Sequence, residues 1–501
     1  MLDCVIAFAP YVVNSNPPLA PAILKSCMES EGLTVQTVDF NAEFLQNDSL
    51  HLQEILEWMR IVELAPTMQA YKWYRKQVKA YSKRIIALDP KWIAISLLTQ
   101  DSQRFTEDFC FYIRILAPHI KIMLGGSGVR VVQHFYNQQF ANVMLDNDLA
   151  DCVCISEGER VISKIILEDL TGIVSDNQLD NQTLSTLPFA NFDNYSFDLY
   201  SSSTMPGGTV ALRNDKFGIT LPITASKGCV RDCTFCDVGK FWPKFKFRSG
   251  QSVADEMIYQ YKKHNATYFV FTDSLINGSV SAFKDMNLAL AKELPNTVKF
   301  YGQFICRPAE SMAEDEFKTA AVAGLDLVNI GIESGSEQVR YHMKKKFSNA
   351  DIHHTSDMCI KYNIRQVWNL LVGYPTEFEN DFQDTLDLIN KYGPYGRELI
   401  TIAPVGVFQL LNGTPISEEH YVDTLGLQSE LINGYKEYNW MSLFNPNNTL
   451  PVRVDRFNRL VDLVLSYDIS AIDNDQLSTM QSIYKKQLEY YYEKKRTRTT
   501  T

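Results

Sequence analysis

Lys227-Gly228-Cys229-Val230-Arg231-Asp232-Cys233-Thr234-Phe235-Cys236 spaces three cysteines as C-x3-C-x2-C. A loop this short brings three thiolates to one [4Fe–4S] cube and leaves its fourth iron without a protein ligand. Zinc is one alternative, but it usually takes a fourth Cys or His close by, and the next candidate, His264, lies well down the chain. Three unrelated buried cysteines are the other.

The remaining cysteines, Cys4, Cys27, Cys110, Cys152, Cys154, Cys306 and Cys359, are scattered. No second cluster is expected, and Cys152-x-Cys154 reads as a buried strand pair. No leader pattern and no long apolar run is apparent, so the thiols are expected to be reduced and the protein cytoplasmic, with no membrane span. At 501 residues the chain exceeds one core, and two or three domains are expected. A net charge of −11 argues against a nucleic-acid backbone as partner, because phosphates call for a basic face. The runs Lys344-Lys345-Lys346 and Lys494-Lys495-Arg496 read as solvated faces.

Outward from the cysteine loop, strand and helix patterns alternate on both sides. From Leu221 onward the spacing predicts six βα units, with strands near Pro222–Ala225, Tyr268–Thr272, Val298–Ile305, Leu327–Ile332, Gln366–Leu371 and Leu399–Ala403. Before it, Val5–Ala9, Thr34–Asp39, Trp92–Leu98, Lys121–Leu124 and Asp151–Ile155 read as strands separated by helices, which argues a parallel, doubly wound sheet. The fold class is therefore α/β. The domains are residues 1–171, a Rossmann-like domain; 172–216, a polar linker rich in Asn, Asp, Ser and Thr; 217–410, a partial (β/α)6 barrel; and 411–501, a mostly helical extension.

The cysteine triad followed by this barrel resembles the signature of radical S-adenosylmethionine (SAM) enzymes. The resemblance implies that SAM chelates the open iron and that one electron splits its sulfonium to give a 5′-deoxyadenosyl radical. It implies that Phe235 leans on the adenine and that Asp273 and Ser274 meet the SAM amino group, although the usual Gly-Gly-Glu form is missing. Gly331-Ile332-Glu333-Ser334-Gly335-Ser336 matches the cobalamin-type subgroup, with Glu333 accepting from ribose hydroxyls or the SAM amine and Ser334 assisting. In Leu371-Val372-Gly373-Tyr374-Pro375-Thr376-Glu377, Gly373 would let the backbone approach the adenine, and Arg307 would pair with the SAM carboxylate or a neighbouring acid. Helix caps account equally for Asp273, Ser334 and Ser336.

The first domain looks like the cobalamin-binding type, on Asn16-Pro17-Pro18, Gly32 through Asn41, Gly125-Gly126 and Glu157-Gly158-Glu159. The implied crevice lies near Asn16, Ser96, Gly125 and Gly126. No Asp-x-His-x-x-Gly motif supplies a lower axial histidine; His119 and His134 flank the glycine turn outside any such context. The resemblance implies a [4Fe–4S] cluster, SAM and cobalamin as cofactors, a flavodoxin- or ferredoxin-type electron donor, and methylation of an unactivated carbon in a small-molecule, lipid or peptide substrate. The alternatives are a cobalamin-independent radical SAM enzyme with a vestigial first domain, and a non-catalytic iron–sulfur module. Methylthiolation is disfavoured by the missing second cysteine triad.

Overall fold

The computed structural model describes residues 2–12, 16–61, 64–130, 132–133, 138–176, 179–200, 218–411, 413–429 and 438–499. The chain divides into two compact units, residues 1–206 and 207–501.

In the first unit β1 (Leu2–Phe8), β2 (Val35–Asp39), β3 (Pro90–Ser96), β4 (Lys121–Gly125), β5 (Cys152–Cys154) and β6 (Gly172–Val174) form one parallel sheet. Its order is β2-β1-β3-β4-β5-β6. Alternate residues leave a strand on opposite faces. Val5 and Ala7 join one core with Phe40, Phe44, Phe105 and Phe109, whereas Cys4 and Ile6 join another with Met28 and Trp92. Because helices cover both faces, β1 reads as a continuous apolar run rather than an alternating one.

The predicted linker is corrected by this arrangement. Gly172–Val174 is the edge strand β6, paired with β5. Beyond it, Ser26 Oγ donates to the Phe189 carbonyl at 2.6 Å, Lys25 Nζ to Asn194 Oδ1 at 2.6 Å, and Tyr200 OH to Asp39 Oδ2 at 2.6 Å. Its polar composition hides three apolar anchors, Leu184, Ala190 and Phe192, each 2% exposed or less. Residues 201–217 lie outside the described residues.

Asp39 caps helix Phe40–Leu45 by accepting from the Ala42 N–H at 2.9 Å. Burial pushes its carboxyl up to about 6, with the Tyr200 and Ala42 hydrogen bonds acting the other way. An unfolded aspartate loses its proton near 3.8. Between those values the folded chain binds more protons than the unfolded one, so stability falls as pH rises through this window, by as much as about 3 kcal/mol. Hydrogen exchange of β1 and β2 amides, corrected for intrinsic rates, should show protection declining between about pH 4 and 6 in the wild type and no such decline in Asp39→Asn. Parallel profiles for the two proteins would refute the assignment.

In the second unit β7 (Ile219–Ile223), β8 (Ala266–Phe271), β9 (Lys299–Phe304), β10 (Leu325–Glu333), β11 (Arg365–Val372) and β12 (Ile400–Val407) pair in parallel and in chain order, the topology of an open barrel. Phe304 meets rings of Phe283 and Phe317, and Trp368 meets Tyr392, so these positions face the outer helices. Their neighbours in the two-residue alternation point inward, and Tyr301, Leu327, Val367 and Ala403 pack together in the lumen.

Residues 411–501 belong to the same unit as the barrel. Helix Leu450–Ser466 packs on β11, β12 and helix Glu379–Tyr392. Ile402 N–H donates to the Ile469 carbonyl at 2.7 Å, and Ala471 N–H to the Ile402 carbonyl at 2.8 Å, which covers the free edge of β12. Among the described residues no helix is long and apolar enough to cross a membrane.

Candidate functional site

The cysteine loop leaves Ser226–Lys227, a two-residue strand paired with Lys246–Phe247, and ends at helix Val238–Phe241. Cys229, Cys233 and Cys236 are half-buried, and the other seven cysteines are buried. Among the described residues no three Cys, His, Asp or Glu side chains are close enough to hold one metal ion. In a cube each thiolate takes a different iron.

Thr234 pins the loop. It is fully buried; its N–H donates to the Met343 carbonyl at 3.1 Å, its carbonyl accepts from Ile416 N–H at 2.7 Å, and its hydroxyl meets Tyr374 OH at 2.8 Å. Tyr374 OH also lies within 3.3 Å of the His342 carbonyl, so the loop is tied to the turn after β10, the end of β11 and the C-terminal region. Neither Thr234 nor Tyr374 stood out in the sequence, where only burial would have marked them.

The run Lys344-Lys345-Lys346 is not the uniformly solvated face its sequence implies. Lys344 and Lys346 take left-handed backbone at φ 59° and 54° and are exposed, which turns Lys345 inward. Its Nζ pairs with Glu333 Oε1 at 3.1 Å and lies 5.7 Å from the Phe235 ring centre. Burial acts to lower the Lys345 pKa, but the Glu333 carboxylate and the Cys233 and Cys229 sulfurs outweigh it, and the net shift is upward. Burial pushes the Cys233 thiol up to about 11, with Lys345 opposing. Glu333 itself sits at φ 68° where β10 ends, a costly conformation for a residue with a Cβ and one that concentrates at functional sites.

Arg307 is held by carbonyls rather than an acid: Nη2 donates to Asn277 at 3.1 Å and Gly278 at 2.7 Å. Its Nε and that of Arg231 are buried with no protein partner. Burial lowers the Arg307 pKa, the Arg231 charge adds to this, and Cys229 acts against it. Lys345 thus stands near all three thiols and Arg307 near Cys229, positive charges of the sign that an anionic thiolate-ligated cluster calls for.

The other expected SAM contacts divide. Phe235 packs half-buried against the cluster of Tyr374, Phe408 and Trp440, and Ser274 is half-buried beside Asp273. Asp273 is 3% exposed and both its oxygens accept from Ala225 N–H, at 2.9 and 3.0 Å. Burial raises its pKa to about 6. The carboxylate fixes the approach to the cysteine loop. Ser334 is fully buried, its hydroxyl 3.4 Å from that of Thr385 and accepting from Ser336 N–H at 3.2 Å. Gly373 has φ 82°, and a Cβ there would lie 2.4 Å from the Arg453 side chain, so its glycine answers a protein contact.

In the first unit the strand order reverses between β1 and β3, and the crevice lies at the carboxyl ends of those strands. Asn41, 1% exposed, clamps the loop after β1 by accepting from Val12 N–H at 2.8 Å and donating to its carbonyl at 2.9 Å. Ser102 and Thr99 hydroxyls reach the Ala9 and Tyr11 carbonyls of the same loop, at 3.4 and 3.3 Å. Ser96 and Gly125, both half-buried, are register partners at these strand ends, and Asn16 is buried in the loop after β1. Gly126 has a different role: a Cβ would lie 2.1 Å from the Leu97 carbonyl oxygen, so this glycine lets two strand-end turns touch. His119 is exposed and precedes β4, at the opposite end of the strand from the crevice. His134 lies outside the described residues.

Residues 223–389 match the family model of the radical SAM superfamily. The chain is 28% identical over 177 residues to a tRNA-2-methylthio-N(6)-dimethylallyladenosine synthase of Hydrogenobaculum sp., covering 33% of this chain and 39% of that one. It is 21% identical over 305 residues to an anaerobic magnesium-protoporphyrin IX monomethyl ester cyclase of Synechocystis sp., covering 56% of each. The chain thus spans less than two thirds of these relatives. Among solved structures it resembles the radical SAM methyltransferase TsrM from Kitasatospora setae with tryptophan and aza-SAM bound, with a TM-score of 0.57, 15% identity, and coverage of 86% of this chain and 79% of that one. It also resembles the cobalamin-dependent SAM radical enzyme OxsB with aqua-cobalamin bound, with a TM-score of 0.59, 14% identity, and coverage of 90% and 66%. Residues 223–389 are therefore a radical SAM domain, a kind that works with a [4Fe–4S] cluster and SAM, in a chain with the fold of TsrM and OxsB.

Proposed function

We propose that the protein cleaves SAM at a cluster held by Cys229, Cys233 and Cys236 and methylates an unactivated carbon with cobalamin carried by its first unit. The observation that carries this reading is the pairing, in one chain, of a doubly wound sheet whose strand order reverses between β1 and β3 and a barrel that presents three half-buried thiols. When bound, the cluster supplies the electron that splits SAM and cobalamin supplies the methyl group. The chain's own part is to fix the loop through Thr234 and Tyr374, hold positive charge near the thiols, and present Glu333 at the end of β10. An external one-electron donor completes the system. Methylthiolation, which some relatives' names carry, would call on a second cluster; among the described residues the other seven cysteines are buried.

Glu333→Ala is expected to weaken SAM binding by about tenfold or more while iron and sulfide content stay unchanged, because the loss of one charged hydrogen bond is worth about 1.5–3 kcal/mol. Equilibrium dialysis with SAM measures it, and unchanged affinity would reduce Glu333 to a partner for Lys345. Titrating the purified full chain anaerobically with hydroxocobalamin tests the methyltransferase reading. Binding with a base-off spectrum supports it, since His119 stands away from the crevice. No binding would favour a cobalamin-independent radical SAM enzyme.

A further inference from the structure

The lumen of the barrel carries polar groups that neither the cluster loop nor the charged rim uses. Above the plug of Tyr301, Leu327 and Val367, and below Glu333, the inward positions of three adjacent strands hold Gln303, Asn329 and Asn369. Gln303 and Asn329 are register partners on β9 and β10. Asn369 on β11 is the partner of Gly331, two residues beyond Asn329 on the same face. Neighbouring strands lie about 5 Å apart, so the three carboxamides form one wall.

All three residues are half-buried in strands whose outward positions are closed. The Asn329 Oδ1 is shielded from solvent and has no partner, and among the described residues nothing bonds the Gln303 or Asn369 side chains. An amide on the outer face of β11 behaves differently: Gln366 donates to the Ser356 carbonyl at 3.3 Å and accepts from the Trp368 indole at 3.1 Å. A shielded amide oxygen without a partner, as at Asn329, is rare in a folded interior and calls for an explanation. Beside Asn369, Ala403 adds little bulk, and the space over Gly331 is taken by the Glu333 and Lys345 side-chain ends. At the rim, Glu333 Oε1 and Lys345 Nζ pair at 3.1 Å beside Gly331.

We propose that Gln303, Asn329 and Asn369 are the substrate-recognition wall of this enzyme, and that the substrate presents to them an uncharged group with hydrogen-bond donor and acceptor side by side, an amide or lactam. A carboxylate offers such a wall acceptors only and an ammonium donors only, whereas an amide matches the carbonyl and the NH2 of each carboxamide together. A hydrocarbon would leave three amides unpaired, and a site built to bond a polar group rejects the analogue that lacks it. The inference rests on the radical SAM reading of the barrel, and its test separates the two.

The matched probes benzamide, benzoate and ethylbenzene are measured by equilibrium dialysis against the reconstituted full chain in the presence of SAM. The wild type is expected to bind benzamide about tenfold more tightly than either analogue. In Asn329→Leu/Asn369→Leu that preference should vanish while the cluster absorbance and the SAM affinity stay within twofold of wild type, roughly the limit of the assay. Absence of a benzamide preference in the wild type would overturn the proposal without needing any variant. A parallel tenfold loss of SAM affinity in the double variant would overturn it too, by assigning the amides to SAM. A wild type that binds neither cluster nor SAM would sink the underlying reading and the proposal with it.

Discussion

Replacing any one of Cys229, Cys233 and Cys236 by alanine is expected to abolish SAM cleavage, with 5′-deoxyadenosine falling by at least about a thousandfold after anaerobic reconstitution. The thiolates have no substitute. Each is one of only three thiolates in the loop, and the other seven cysteines are buried elsewhere. Iron and sulfide should drop with the activity. Cys152→Ala and Cys359→Ala provide the contrast: both thiols are 0% exposed in the apolar interior, and their loss should leave iron content unchanged at a cost of about 1 kcal/mol in stability. Iron content that survives the triple substitution would contradict the assignment.

Gly126→Ala is expected to have the largest effect on the first unit, a destabilisation of about 4 kcal/mol or more. Two penalties add. The backbone at φ 100° is unfavourable for any residue with a Cβ, and that Cβ would sit 2.1 Å from the Leu97 carbonyl oxygen, a backbone atom that cannot step aside. Gly32→Ala separates the terms: it too has positive φ, 81°, but nothing lies within 4 Å, so it should cost only about 1–2 kcal/mol. Hydrogen exchange of β1 to β5 should show global loss of protection in Gly126→Ala and near-native protection in Gly32→Ala, with the barrel amides unaffected in both. Equal, small effects would mean that the two strand-end turns do not pack as described.

The strands were legible because both faces of each are covered. A run such as Cys4-Val5-Ile6-Ala7 or Leu327-Val328 carries its own burial in its composition, and the order of the βα units then follows from right-handed crossovers. The cysteine loop was legible because three ligands must lie close in sequence to reach one cube. What escaped depends on contacts distant in sequence. Lys345 looks like one of three equal lysines until the left-handed turn of Lys344 and Lys346 aims it inward. The contacts of Asp273 with the Ala225 N–H and of Gly373 with the Arg453 side chain join residues far apart in sequence. The segment after Val174 reads as linker because its few apolar residues are diluted among polar ones.

The central claim is that the barrel cleaves SAM reductively. The most direct measurement is liquid chromatography with mass detection of 5′-deoxyadenosine, from the anaerobically reconstituted full chain given SAM and dithionite. The account predicts 5′-deoxyadenosine and methionine in equal amounts, dependent on dithionite and absent from Cys233→Ala. A preparation that holds a full [4Fe–4S] complement and binds SAM, yet yields no 5′-deoxyadenosine under these conditions, would contradict it.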